Sequence, residues 1–368
     1  MRNATQASRK IRFYNLYMTV KPVCSTNGPS LSCRMVICAW LTITPILGLS
    51  QERMAATRPS TLLVVNQGDA SLSIVDPVTR SQIGTVAEAT PSMVGHEVAT
   101  SPDGRLAYIP LYGDSGVGKP GTDGRTILVV DLSTRRVVNR FDFDHGVRPH
   151  CVIYDRSSNL LYVTTELDKS VTIFDPRTLK IVGAIPTNQE QSHMLAISHD
   201  GRRGYTANVG PGTVSVLDLV TRKFVTTIPI AATTQRISIS NDDSMVFTSD
   251  QTKPQMAVID TASNKIKQWV ELPAPGYGSA STKNGRLLLV TLPTADSLAV
   301  VDLKTMKTVR TIKIGLKPQE VLIRPDGLFA YVSCFGGHEV QVVDLTTWQV
   351  TATIDVGQKA DGMAWSGN

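Results

Sequence analysis

Seven short segments of this chain each end an alternating apolar run in aspartate: SIVDPVT, LVVDLST, TIFDPRT, SVLDLVT, AVIDTAS, AVVDLKT and QVVDLTT. Their aspartates, Asp76, Asp131, Asp175, Asp218, Asp260, Asp302 and Asp344, stand 55, 44, 43, 42, 42 and 42 residues apart. A period near 42 residues with several short strands in each unit leaves few architectures open. One repeat cannot bury its own apolar face, so the units must stack into a common core. The unit around Pro325 reads as four strands: QEVLIRP, LFAYVSC, EVQVVD and WQVTATIDVG, labelled a to d. Tight a–b turns recur as SPDG, SHDG, SNDD, TKNG and RPDG, whose Asp-Gly and Asn-Gly pairs tolerate positive φ. The expected fold is all-β: a seven-bladed β-propeller of four-stranded antiparallel blades.

The ends of the repeat region complement each other. The first unit starts at strand b, TLLVVNQ (61–67), and lacks strand a. The C-terminus ends in an orphan strand a, DGMAWSGN (361–368). Pairing the two closes the ring and protects the strand edges that an open sheet exposes. The seven strand-c aspartates are read as structural, each accepting hydrogen bonds from the backbone of its own turn.

With RPDGLFAYVS (324–333) and SPDGRLAYIP (101–110) in view, the chain resembles the YVTN-repeat family of seven-bladed propellers, over about residues 60 to 368. The resemblance implies a fold. It leaves the function open, because sites are grafted onto folds.

Charge separates a leader from the body. Six of the 37 basic residues and none of the 31 acidic ones lie in residues 1–50, so the rest of the chain carries 31 of each sign. A neutral body offers no basic field for a phosphate backbone, which argues against nucleic acid as a partner. Val36 to Leu49 is an uncharged, largely apolar run behind Arg34, short for a membrane span and suited to a signal-peptide core. The expected organisation is a leader over 1–50, with Met18 or Met35 as alternative starts, and a propeller over 51–368. Such a protein would be periplasmic or secreted, monomeric, and without a membrane span after cleavage. Cys151 and Cys334, the two cysteines of the body, fall in distant blades and are not expected to pair.

The stretch GDSGVGKPG (113–121) is one residue from a nucleotide-binding P-loop. Pro120 replaces the hydroxyl residue that would bind magnesium, and the sequence continues into a strand where a P-loop needs a helix. No nucleotide is expected here. The excess length of this unit, roughly Tyr112 to Arg125, instead predicts a loop at the mouth of the channel, where Asp114, Lys119 and Asp123 could meet a ligand.

A second register lies twelve residues before the strand-b positions Tyr108, Tyr162, Tyr205, Phe247, Leu289 and Tyr331. It holds His96, His150, His193, Gln235, Tyr277 and Gln319, and Asp361 in the orphan strand. Equivalent positions at the entry of strand a face a common axis. Three imidazoles and a carboxylate there predict a divalent transition-metal site (zinc, copper, iron or manganese) made by His96, His150, His193 and Asp361. Gln235, Arg236, Tyr277 and Gln319 are expected to contact the ligand, with Arg148 as a supporting group. The functional expectation is a propeller that binds a ligand, metal or protein partner at the top of its channel. The alternative is a metal-dependent enzyme of lactonase, lyase or redox type, with Glu97 or Glu320 as base and Tyr277 as proton donor.

Overall fold

The computed structural model describes residues 60–367 except 89, 91 and 92. The leader and the proposed domain start at Gln51 lie outside the described residues. Every regular element described is a strand, and the strands form seven antiparallel sheets, which are the seven blades. Their innermost strands, in blades 2 to 7, are Val94–Gly95 with Ala99–Thr100, Pro149–Asp155, Ser192–Ile197, Ile237–Ile239, Ser279–Ser281 and Pro318–Ile323. In blade 1 the innermost strand is Ala360–Trp365, from the far end of the chain. It pairs with Leu62–Asn66 in the register Leu62↔Trp365, Leu63↔Ala364, Val64↔Met363. The ring therefore closes as the complementary ends require.

Alternation explains the packing. Within each blade the central strands are apolar on both faces, because neighbouring blades cover both sides. Leu62 to Val65 are fully buried, and so are Tyr108, Tyr205, Phe247 and Tyr331 at equivalent positions of strand b. The outermost strands read differently: Lys180–Pro186, for example, buries Ile185 and leaves Lys180, Ile181 and Val182 exposed.

The turns follow a strict register. Each strand-c aspartate accepts at least one backbone N–H from its own turn, as at Asp131, whose Oδ1 accepts from Ser133 N at 2.8 Å and Thr134 N at 2.9 Å. An equivalent bond, from the N–H two residues on at Asp76 and Asp175 and three residues on at Asp218, Asp260, Asp302 and Asp344, recurs in the other blades. Four residues on, Arg80, Arg135, Leu179, Arg222, Asn264, Met306 and Trp348 all take positive φ. The Asx turn thus forces a left-handed residue, which only Asn264 favours intrinsically. The Ser133 hydroxyl and N–H bonds hold the Asp131 carboxyl down at about 2. Asp131→Ala is expected to lower stability by about 1 kcal/mol, read as a drop in denaturant midpoint at unchanged m-value.

The insertion of blade 2 differs in part from the expected loop. Its flanking strands run to Leu106–Gly113 and Asp123–Asp131, pairing as far as Gly113↔Asp123. Much of the extra length is therefore hairpin, and the irregular part is only 114–122. A strand follows Lys119, as the P-loop argument required.

Candidate functional site

The register of polar residues does converge on one sector. His96, His150 and His193 enter from blades 2, 3 and 4. The ring centroids of His96 and His150 are 5.0 Å apart, and those of His150 and His193 are 3.4 Å apart. Tyr112 stands against all three, at 5.0, 5.4 and 5.8 Å. His96 has a side chain 14% exposed, whereas His150 and His193 are 2% and 1% exposed. Burial, reinforced by His193 and Arg236 and only partly offset by Asp361, lowers His96 to about 4. Burial also holds His150 far below the ordinary histidine range.

The backbone is shaped to admit this sector. Strand a of blade 2 is interrupted between Gly95 and Ala99, and the carbonyl of His96 accepts the N–H of Gly362 at 3.0 Å. A Cβ on residue 362 would lie 2.3 Å from that carbonyl oxygen. Only glycine allows this approach between blades 1 and 2.

The imidazole nitrogens are largely committed to protein groups. His193 Nδ1 meets Glu166 Oε1, and Gln235 Nε2 lies 3.0 Å from His193 Nε2. Glu166 Oε2 accepts the Tyr112 hydroxyl at 2.8 Å. Gln67 Nε2 reaches His96 Nδ1 at 3.2 Å and donates to Asp361 Oδ2 at 2.5 Å. His150 Nδ1 is buried with no hydrogen-bond partner. Asp361 approaches His96 only at 3.9 Å. Among the described residues, no group of three or more His, Cys, Asp or Glu is spaced to hold a metal ion. The expected metal residues are thus together, but tied to neighbours.

Below them Arg236, 5% exposed, spans the channel. It comes from blade 5 and pairs with Glu97 of blade 2 (2.7 Å), Asp361 of blade 1 (2.7 Å) and, more loosely, Glu320 of blade 7 (3.9 Å). Its guanidinium lies 5.3 Å from the Tyr277 ring of blade 6. Three carboxylates share one cation. Burial, the Arg236 attraction notwithstanding, raises Glu97 well above the ordinary carboxyl range and Glu320 to about 7. Burial likewise lifts Tyr277 to about 12. For Arg236 burial works against the charge, yet Glu97 and Asp361 outweigh it and hold the guanidinium charged. Glu97, Glu320 and Arg236 were expected near the ring; the structure makes them its floor.

The remaining candidates fall outside. Gln319 shares the register, and its carbonyl accepts the Thr291 hydroxyl at 2.8 Å. Asp114 turns back on its own loop, accepting Thr122 N at 2.6 Å. Lys119 is exposed, and its carbonyl accepts from Arg148 Nη2 at 2.8 Å. Arg148 also pairs with Asp123 and lies over the Tyr112 ring. The insertion therefore borders the histidine sector without placing Asp114 or Lys119 in it. His145 and His199 are exposed and paired to aspartates. Cys151 and Cys334 are free and buried.

Gln67, Tyr112 and Glu166 were not among the sequence candidates. Tyr112 and Glu166 lie four positions after the strand-b residues Tyr108 and Tyr162. A second register, at the exit of strand b, would have found them.

Residues 154–277 match the cytochrome D1 heme domain family, a match covering about a third of the chain. No curated protein matches the sequence. Among solved structures, Kuenenia stuttgartiensis hydrazine synthase superposes with a TM-score of 0.63 at 17% identity, over 74% of this chain and 89% of that one. A dihydro-heme d1 dehydrogenase, NirN, in complex with DHE superposes with a TM-score of 0.61 at 16% identity, over 87% of this chain and 78% of that one. At such identities the likeness is one of fold. The chain is a seven-bladed propeller, and part of it is similar to heme d1 domains.

Proposed function

We propose that this protein binds a small molecule at the top of its channel, over the His96–His150–His193 sector, and that the ligand is a heme-type tetrapyrrole. The single observation that carries the reading is the convergence of three imidazoles and Tyr112 at one point of the mouth. The cytochrome D1 heme domain match, which includes His193, Gln235, Arg236 and Tyr277, supports the choice of ligand.

The residues present fit such a group. Imidazole nitrogens are good donors to iron, and His150 Nδ1 is buried without a partner. Tyr277, partly exposed, supplies an aromatic face, and the buried Tyr112, with Arg148 over its ring, backs the imidazoles. When bound, a heme-type group would bring an iron centre for electron transfer or small-ligand chemistry. The chain's own residues bind and orient it: Gln67 and Glu166 hold two of the imidazoles, and Arg236 fixes the floor beneath them. The wider reading keeps the YVTN-type repeat resemblance, export through the leader, and a monomer.

The test is titration of the purified domain with iron(III) protoporphyrin, alongside metal analysis of the protein as isolated. Saturable binding at about one equivalent with a shifted Soret band is expected. It should be lost in a folded His96→Ala/His150→Ala/His193→Ala variant. Unchanged binding by that variant would remove the histidine sector as the site.

A second reading, proton-transfer catalysis in the channel, rests on one observation. Glu320 is raised to about 7 by burial while its side chain remains 18% exposed, which suits a general acid or base. Under that reading Glu320→Gln abolishes turnover of a lactone or related substrate while leaving ligand binding intact.

A further inference from the structure

The three imidazoles are not equivalent, and hydrogen-bond logic separates them. An amide nitrogen only donates. Gln67 Nε2, at 3.2 Å from His96 Nδ1, makes that nitrogen an acceptor, so the neutral His96 ring carries its proton on Nε2. His193 is the reverse. Glu166 accepts from its Nδ1, and Gln235 Nε2 donates to its Nε2 at 3.0 Å. His193 therefore has its lone pair on Nε2, and a buried carboxylate fixes both tautomer and ring angle. Glu166 is itself fixed by the Tyr112 hydroxyl at 2.8 Å. A carboxylate behind an imidazole is the arrangement that orients metal-ligating histidines and raises their basicity. Gln235 is partly exposed and caps the nitrogen that such an arrangement would present.

We propose that His193 Nε2 is the donor of this site toward a metal centre with an open coordination position, that Glu166 and Tyr112 are its positioning residues, and that Gln235 is a displaceable cap. The inference rests on the reading of the mouth as a ligand site. Its ligand chemistry is a Lewis-acidic metal, from a free divalent cation or from the iron of a planar macrocycle. On binding, the Gln235 amide would leave and free the His193 Nε2 lone pair to hold the metal. No proton is released, because Nδ1 keeps its hydrogen against Glu166. The His150 ring, its centroid 3.4 Å away and tilted by 31°, packs against the imidazole.

Two measurements on the purified domain test this. Long-range ¹H–¹⁵N correlation spectra of the ligand-free protein should show His193 as the Nδ1–H tautomer and His96 as the Nε2–H tautomer. Glu166→Gln should disturb the first and leave the second. Titrations then compare iron(III) protoporphyrin with metal-free protoporphyrin, and cobalt(II) chloride serves as the free-cation arm. The iron form should bind at least about tenfold more tightly than the metal-free form, and Glu166→Gln should weaken it about 10- to 100-fold. Gln235→Ala should bind it more tightly than wild type. His193→Ala should erase the preference for the iron form, and His96→Ala should keep it. Cobalt binding with the same variant pattern would assign the site to a free cation. Equal binding of the two porphyrins by wild type and Gln235→Ala, with no cobalt bound, overturns the donor assignment while leaving ligand binding at the mouth standing. Binding of no porphyrin by any form removes the functional reading. The opposite tautomer at His193 overturns the positioning role regardless of what binds.

Discussion

Arg236→Met is expected to destabilise the propeller by about 3–5 kcal/mol near pH 8, the cost of leaving buried carboxylates without their cation. Glu97, Asp361 and Glu320 come from three blades and meet on this one guanidinium, itself 5% exposed. Methionine fills a similar volume, so the loss reports charge more than a cavity. The pH dependence gives the diagnosis. A carboxyl raised in the folded state contributes stability that is full below its ordinary value and is lost as pH rises through the folded one. Burial raises Glu320, and likewise Glu88, from 4.5 to about 7, and holds Glu97 well above its ordinary value. The buried histidines act in the opposite sense, since His96 falls from 6.5 to about 4 and costs stability only as pH drops below 6.5. Between about pH 6.5 and 8 the raised carboxyls and the exposed His145, itself raised by Asp168 and Asp144, act in the same sense, and stability should fall as pH rises. Arg236→Met should steepen that fall, and Glu320→Gln should flatten it and raise the melting temperature at pH 8. Equal melting temperatures for wild type and Arg236→Met across this range would refute the assignment of the floor as an ion-paired clasp.

Deleting residues 360–368 should abolish cooperative folding. The segment supplies the innermost strand of blade 1, and with it the ladder to Leu62, Leu63 and Val64. It also carries Trp365, whose ring meets Tyr331 at 5.0 Å and whose indole N–H donates to the Ile323 carbonyl at 2.9 Å. Met363 N–H donates to Glu320, and Asp361 to Arg236 is the clasp itself. Losing Met363 and Trp365 from the core forfeits about 1.5–3 kcal/mol each before any hydrogen bond is counted. Domain stabilities are only about 5–15 kcal/mol, so these two side chains alone remove a large part of the margin, and the lost strand ladder and ion pair remove more. The open blade would also expose a strand edge and promote association. Circular dichroism and analytical ultracentrifugation of the truncated chain decide this. A monomer with a sharp thermal transition within a few degrees of the full chain would show that the ring does not depend on closure.

Blade number, strand order and closure could be read because each rests on local chemistry repeated seven times. Asp131 and its six equivalents each accept a backbone N–H two or three residues on in their own turn, so a linear pattern stands for a three-dimensional one. The ring of His96, His150, His193, Gln235, Tyr277, Gln319 and Asp361 could be read for the same reason: equal register places residues at equal height around an axis.

Side-chain direction and partnership were not legible in this way. Nothing in the spacing says that Arg236, one residue past the ring, crosses the channel to Asp361, 125 residues away. Nothing says that His193 is held by Glu166 while His96 is held by Gln67, since those partners come from strand b and the ring from strand a. Asp114 looked like a channel residue because its loop is long; the loop's own backbone claims the carboxylate instead. By itself the sequence determined the fold, because a repeat copies local turn and strand chemistry into every blade. Only the tertiary structure decided which charges face one another across the channel and which nitrogen of each imidazole carries the lone pair, because those depend on distances between blades that no single repeat encodes.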